Sequence, residues 1–153
     1  IYLGSSFGGQ AIYFGRMLEK LANDFAISSL PIALVLGGET TVKLNKNGKN
    51  GIGGRNQEAI LSAAAKCRFQ QRDDITILSM GTDGKDGNSK AAGAFLTPKT
   101  IYLIRKKGIN IKKYLNEHNS YNALKKIDSL LLTGNTGTNV NDIAIICLMN
   151  RRN

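Results

Sequence analysis

Three short apolar runs in this chain each stop at a glycine-rich loop that carries threonine, aspartate or asparagine. Ile32-Ala33-Leu34-Val35-Leu36 ends in Gly37-Gly38-Glu39-Thr40-Thr41. Ile75-Thr76-Ile77-Leu78-Ser79-Met80 ends in Gly81-Thr82-Asp83-Gly84-Lys85-Asp86-Gly87, and Leu130-Leu131-Leu132 ends in the segment Thr133 to Asp142. Apolar runs of this length, bounded by glycine, read as buried strands. Ligands of open α/β sheets bind at the carboxyl ends of strands, so three such loops point to one site.

Between the runs the period changes from two to 3.6. Helices are expected over 9–23, with Ile12, Met17, Leu18 and Leu21 apolar, and over 54–69, with Ala59, Ile60, Ala63, Ala64 and Cys67 on one face. A helix of 99–107 is introduced by Pro98 and Thr100 and closed by Gly108 behind Arg105-Lys106-Lys107, a cationic last turn that complements the helix dipole. Residues 111–126 read as two short helices split near Asn119-Ser120. Asn23-Asp24, Ser28-Ser29 and Asp73-Asp74 punctuate, and residues 1–8 read as a loop. Ala91 to Leu96 reads as strand or helix, and Ile143 to Leu148 as a final strand. Thr40-Val42-Leu44 alternates, so a further strand is expected there, turning at a basic hairpin tip of residues 45–50. Alternating strands and helices give an α/β domain, expected to be a three-layer α/β/α arrangement around a largely parallel or mixed sheet.

The 153 residues, 42% hydrophobic, suffice for one globular domain with a core. Cys67 and Cys147 lie in apolar contexts and read as buried thiols of an intracellular, cytoplasmic protein. No apolar run approaches the roughly 20 residues of a membrane helix. The net charge of +10 permits nucleic-acid binding, but the lysines are scattered among asparagine and isoleucine without an aromatic-interleaved stripe or a recognition motif, so neither nucleic acid nor membrane is an expected partner. The chain begins with Ile1 inside an ordered pattern and reads as part of a longer polypeptide.

The motifs narrow the chemistry. Neither Gly48-Lys49 nor Gly84-Lys85 has Walker A spacing, and Gly51-Ile52-Gly53-Gly54-Arg55-Asn56 lacks the last glycine of a dinucleotide fingerprint. No Cys/His cluster has metal spacing. His118, the only histidine, reads as a surface residue with no carboxylate placed to use it. What remains suits phosphoryl transfer, which depends on positioning and positive charge. Glu39, Asp83 and Asp86 offer hard oxygen ligands for Mg²⁺, while Arg55, the glycine amides and the Thr136 and Thr138 hydroxyls offer donors for phosphate or carboxylate. Arg55, Asn56 and Glu58 fall in the first turn of the second helix, where free N–H groups and the dipole favour an anion. For Asp83 and Asp86 the bland alternative is turn chemistry.

The four motifs Gly37-Gly38-Glu39-Thr40-Thr41, Gly53-Gly54-Arg55-Asn56-Gln57-Glu58, Gly81 to Gly87 and Thr133 to Asp142, in this order, resemble the C-terminal MOFRL domain of the glycerate 2-kinase family, some members of which are labelled hydroxypyruvate reductase. The resemblance covers about 32–149 and implies that 1–30 is the tail of a preceding N-terminal glycerate kinase domain and 31–153 the MOFRL domain. It implies ATP and Mg²⁺ as cofactors, D-glycerate as substrate, the 2-hydroxyl as acceptor, and an active site shared with an N-terminal domain of the same polypeptide that carries a catalytic lysine. A homodimer is the expected assembly. Carried over, Arg55 is the foremost catalytic residue, with Glu39, Asp83 and Asp86 as acidic positions lining the cleft and Asp83 and Asp86 as metal ligands. Gly37, Gly38, Asn56, Gly134, Thr136, Thr138 and Asn139 are the expected cofactor-binding residues. Asn135, where proline is usual, and Lys90, where an acid is usual, depart from the pattern. Reduction of hydroxypyruvate by NAD(P)H and a non-catalytic binding role are the alternatives.

Overall fold

A computed structural model describes residues 1–26, 31–46, 48, 50–67 and 74–149. Ser28-Ser29, Asp73, the last two residues of the helix expected over 54–69, two positions of the basic tip and the last four residues lie outside them.

Helix α1 spans Ala11–Phe25 and buries Ala11, Gly15, Leu18 and Ala22, a stripe at helical spacing. Strand β1 follows at Ile32–Gly38. Helix α2 occupies Arg55–Lys66 and β2 Ile75–Gly81. Strand β3 is Gly93–Leu96, resolving the segment whose sequence suits strand or helix. Helix α3, Pro98–Lys106, starts in a reciprocal capping box between Thr97 and Thr100 with proline in its first turn. Helices α4 (Ile111–Asn116) and α5 (Ser120–Lys125) precede the short β4, Leu130–Leu131, and the closing β5, Asp142–Leu148.

The sheet corrects the expected fold class. Its order is β1-β5-β2-β3-β4, and every adjacent pair is antiparallel. The β1–α2–β2 crossover does leave β1 and β2 pointing the same way, as the alternation of strand and helix implies. The last strand enters between them, so Leu34 and Ile77 both face Ile146 and never each other. A parallel pair is thereby split by one antiparallel strand. The insertion has a consequence for function: the C-terminal ends of β1, β2 and β4 still share one edge of the sheet, together with the start of β5.

The layering also differs from the expected three. The core takes one face of the sheet, with Leu34, Ile146, Ile77 and Leu96 in register across four strands. Against it pack α1 and α2, with α4 and α5 on α2, and Ile101 and Ile104 of α3 join the same core. The opposite row, Val35, Ile145, Leu78 and Phe95, lies outside this core. Helix α2 is buried on all sides from Asn56 to Ala64 rather than on one face, because it is sandwiched between α1, the sheet and the α4–α5 pair.

The strand expected over Thr40 to Leu44 does not form. The edge of β1 is taken instead by residues 1–10, which run parallel to it through bridges at Tyr2, Phe7 and Gln10, the last of them to Thr41. Residues 42–45 are irregular and Leu44 is exposed. The tip beyond is closed by asparagines: Asn45 N donates to Asn50 Oδ1 at 2.9 Å, and Asn50 Nδ2 returns to Asn45 O. Of the two cysteines expected to be buried, Cys67 is, whereas Cys147 on β5 is half-buried.

Helices α1 and α2 cross at Gly15. A Cβ there would lie 2.0 Å from the Ala59 carbonyl oxygen, so the crossing admits no side chain. Gly15→Ala should therefore destabilise the protein by roughly 1–3 kcal/mol despite the gain in helix propensity. A urea midpoint no lower than that of the wild type would show that the helices can separate without cost.

Candidate active site

The site begins at the N-terminus of α2. Its first free amides would attract an anion, and the fold supplies one from within. The Asp86 carboxylate accepts from the backbone N–H of Asn56 at 3.0 Å and of Gln57 at 2.9 Å. It also accepts from Asn56 Nδ2 at 3.2 Å and Gln57 Nε2 at 2.8 Å. Burial pushes the Asp86 carboxyl above the usual carboxylate range, and these donors pull the other way. Asp86 is thus a helix cap delivered from a distant loop, and the amides expected to bind a ligand are occupied. Asn56, an expected cofactor-binding residue, is buried, with its Oδ1 accepting from Ser79 Oγ at 2.6 Å.

The Gly53-Gly54 pair serves the same clasp. A Cβ on Gly54 would lie 2.3 Å from Asp86 Cγ, and one on Gly87, at φ +63°, would lie 2.1 Å from Gly53 O. The backbone approach is to a neighbouring loop. Likewise a Cβ on Gly38 would meet Phe7 O at 2.0 Å, and Gly37 abuts Ser5, so these two glycines seat the N-terminal segment.

Arg55 is the first residue of α2. Its Nε donates to Asp142 Oδ2 at 2.5 Å and its Nη2 to Asp142 Oδ1 at 3.0 Å, a bidentate pair, while Glu39 Oε1 lies 3.2 Å from Nη2. The Asp142 side chain is 10% exposed and that of Glu39 54%, so the first is a fixed support and the second faces solvent. The hydrogen bond that Arg55 donates to Asp142 raises the Arg55 pKa still further and opposes the effect of partial burial. The guanidinium is held charged and oriented at the mouth of a cleft of about 520 Å³. Glu39, Arg55, Glu58, Asn88 and His118 line that cleft.

His118 overturns its reading as a surface residue. Its side chain is 11% exposed, and its Nδ1 lies 2.9 Å from Oε2 of Glu58, which is 4% exposed. Burial pushes the Glu58 carboxyl up, and the contact with His118 opposes the shift.

The other expected residues gather beside the cleft. Loop 81–87 and loop 133–142 are knitted together: Thr136 Oγ1 donates to Thr82 O, Thr136 N to Asp83 O at 3.3 Å, and Val140 N to Thr82 Oγ1 at 2.8 Å. Gly84, at φ +87°, lets Gly134 O approach. Residues 132–141, including Gly134, Thr136, Thr138 and Asn139, are exposed. Asp83 accepts from Lys85 N at 2.9 Å, a turn contact, and sits near Asp142 across Gly81. The structure therefore brings Arg55 and Glu39 into the cleft, puts Asp83 and the 133–142 loop on its flank, and buries Asp86 and Asn56 beneath it.

Asp142, Glu58 and His118 are the residues of the site to which the sequence reading gives no role in it. Strand parity would find Asp142, two residues before Ala144 on the core face, and helical spacing would find Glu58, one turn after Arg55. No sequence pattern links His118 to Glu58, sixty positions away.

A model of the MOFRL family matches residues 32–142. A glycerate 2-kinase of Pyrococcus horikoshii is 43% identical over 141 residues, covering 92% of this chain and 31% of that protein. The crystal structure of glycerate kinase from Thermotoga maritima has a TM-score of 0.86 and 38% identity, covering 97% of this chain and 36% of that one. A protein of Agrobacterium vitis that carries a provisional hydroxypyruvate reductase name is 40% identical, over 97% of this chain and 39% of its own length. The chain spans about a third of the length of these relatives.

Replacing Asp86 by Ala should cost about 2–4 kcal/mol, because buried donors at the start of α2 lose a charged acceptor. A thermal melt of the variant within a degree of the wild type would show that water or another residue takes over the cap.

Proposed function

The chain belongs to the MOFRL family, and on that footing we propose that it supplies one wall of the active-site cleft of a glycerate 2-kinase. The reaction is transfer of the γ-phosphoryl group of ATP to the 2-hydroxyl of D-glycerate, giving 2-phosphoglycerate and ADP. The observation that carries this reading is Arg55: a guanidinium fixed by a buried carboxylate, at the mouth of a cleft large enough for a small substrate.

In this reading Asp142 grips the guanidinium and leaves the Glu39 side open to the cleft. There Arg55 balances the charge that builds on the transferring phosphoryl oxygens, and it needs no reorientation at the moment of transfer. In the exposed 133–142 loop, Gly134, Thr138 and Asn139 are suited to phosphate oxygens of the nucleotide, whereas Thr136, expected to join them, donates its hydroxyl and amide protons to Thr82 O and Asp83 O. Residues 1–30 as the tail of a preceding domain, a catalytic lysine on that domain, an assembly of two copies and a cytoplasmic setting belong to the same proposal. Among the described residues no helix is long and apolar enough to cross a membrane.

The Mg²⁺ that the family resemblance implies does not fit between Asp83 and Asp86. Both oxygens of Asp86 accept N–H donors, Asp83 closes its own turn, and no group of three or more His, Cys, Asp or Glu among the described residues is arranged to hold a metal. The role given to these two carboxylates is therefore structural for Asp86 and local for Asp83.

The test is an assay of the complete polypeptide that contains this chain, with ATP, Mg²⁺ and D-glycerate. ADP release with 2-phosphoglycerate identified by phosphorus NMR is the expected result. Loss of NAD(P)H on addition of hydroxypyruvate, without ADP, would transfer the protein to the reductase reading. Arg55→Ala in the same polypeptide should lower kcat by roughly 10²-fold or more. A near-normal rate would remove Arg55 from the chemistry.

A further inference from the structure

His118 occupies an unusual backbone position. Helix α4 ends with His118 N donating to Leu115 O at 3.1 Å and Asn119 N to Tyr114 O at 2.9 Å. That is the paired closure in which the residue after the C-cap turns left-handed, and glycine is its ordinary occupant. Here the position is held by histidine at φ +46°. The side chain reaches across to α2, where Nδ1 meets Glu58 Oε2 at 2.9 Å, and both residues line the same cleft as Arg55. With Nδ1–H donating to the carboxylate, Nε2 is an acceptor, and the imidazole makes no other hydrogen bond among the described residues. Glu58 lies one turn from Arg55, so a single helix carries the phosphoryl clamp and the support of the imidazole.

We propose that His118, oriented by Glu58, is the proton acceptor for the substrate hydroxyl that receives the phosphoryl group. The proposal rests on the kinase reading of the cleft. As the hydroxyl oxygen bonds to the γ-phosphorus, the bond from that phosphorus to the bridging oxygen of ADP breaks. The hydroxyl proton passes to Nε2, and Glu58 stabilises the imidazolium until the proton is released to water. His118 is then catalytic and Glu58 a positioning residue. A carboxylate–imidazole pair that is nearly dry, at a strained backbone position beside the phosphoryl clamp, is a poor choice for stability alone.

The charged groups that share the cleft with the pair are Arg55 on α2 and Glu39 after β1, and Asp86 beneath the start of α2 acts on Glu58. The pH profile must therefore be read against a variant without the imidazole. In the complete polypeptide, His118→Gly suits the left-handed backbone, and His118→Asn is a second variant that the same backbone tolerates. Both should still fold, melting somewhat below the wild type because the buried Glu58 carboxylate loses its partner, while kcat falls about 10²-fold with KM for ATP little changed. The wild-type decline of kcat/KM toward acid pH should disappear in both, and added imidazole should restore part of the His118→Gly rate. Glu58→Gln removes the carboxylate that orients the imidazole, so it should lower kcat by less than the loss of the imidazole does, with KM for ATP little changed. A His118→Gly enzyme with kcat within twofold of wild type and an unchanged pH profile would overturn the proposal and leave the kinase reading intact. A wild-type enzyme that makes no ADP from ATP and D-glycerate would overturn both.

Discussion

The Asp86 carboxylate under the first turn of α2 is the contact on which the site depends. A helix start has unsatisfied N–H groups and a partial positive charge, and inside a core both must be met by the protein. Asp86 meets them with both oxygens, at the cost of burying a charge. The clasp fixes where α2 begins and how it is rotated. Arg55 is thereby turned toward Asp142 and the cleft, and Glu58, one turn on, toward His118. Gly54 and Gly87 are glycine because the clasp leaves no room for a Cβ on either side.

The sheet supplies the second constraint. Strand β5 lies between two strands that a helical crossover had left pointing the same way, and it brings Asp142 to the level of Gly38 and Gly81. One carboxylate at that point can serve an arginine from the helix above. The chain as a whole carries 11 acidic residues against 21 basic ones, yet Glu39, Asp86 and Asp142 all act on the one guanidinium of Arg55. The net charge of +10 is therefore no guide to the electrostatics of the site.

Much of the secondary structure follows from local pattern. Short apolar runs that stop at glycine-rich loops mark β1, β2 and β4, the apolar run from Ile143 marks β5, and the Thr97–Thr100 box with Pro98 marks the start of α3. The alternation that suggested a strand over Thr40 to Leu44 fails because residues 1–10, distant in sequence, take that edge of β1 first. Sheet direction was equally out of reach. The βαβ rule relates β1 to β2, and nothing local says that a strand sixty residues later will separate them.

At the site the division has the same origin. Residue types and motif order determine that this chain carries an arginine at a helix start, carboxylates and hydroxyls in loops at strand ends, and membership of a family. Those properties depend on composition and spacing within a few residues. Which carboxylate caps the helix, which one grips the arginine, and whether the lone histidine is exposed depend on contacts across 30, 87 and 60 positions. Only the packed chain decides them, because a buried charge takes its role from the donors that burial leaves within reach.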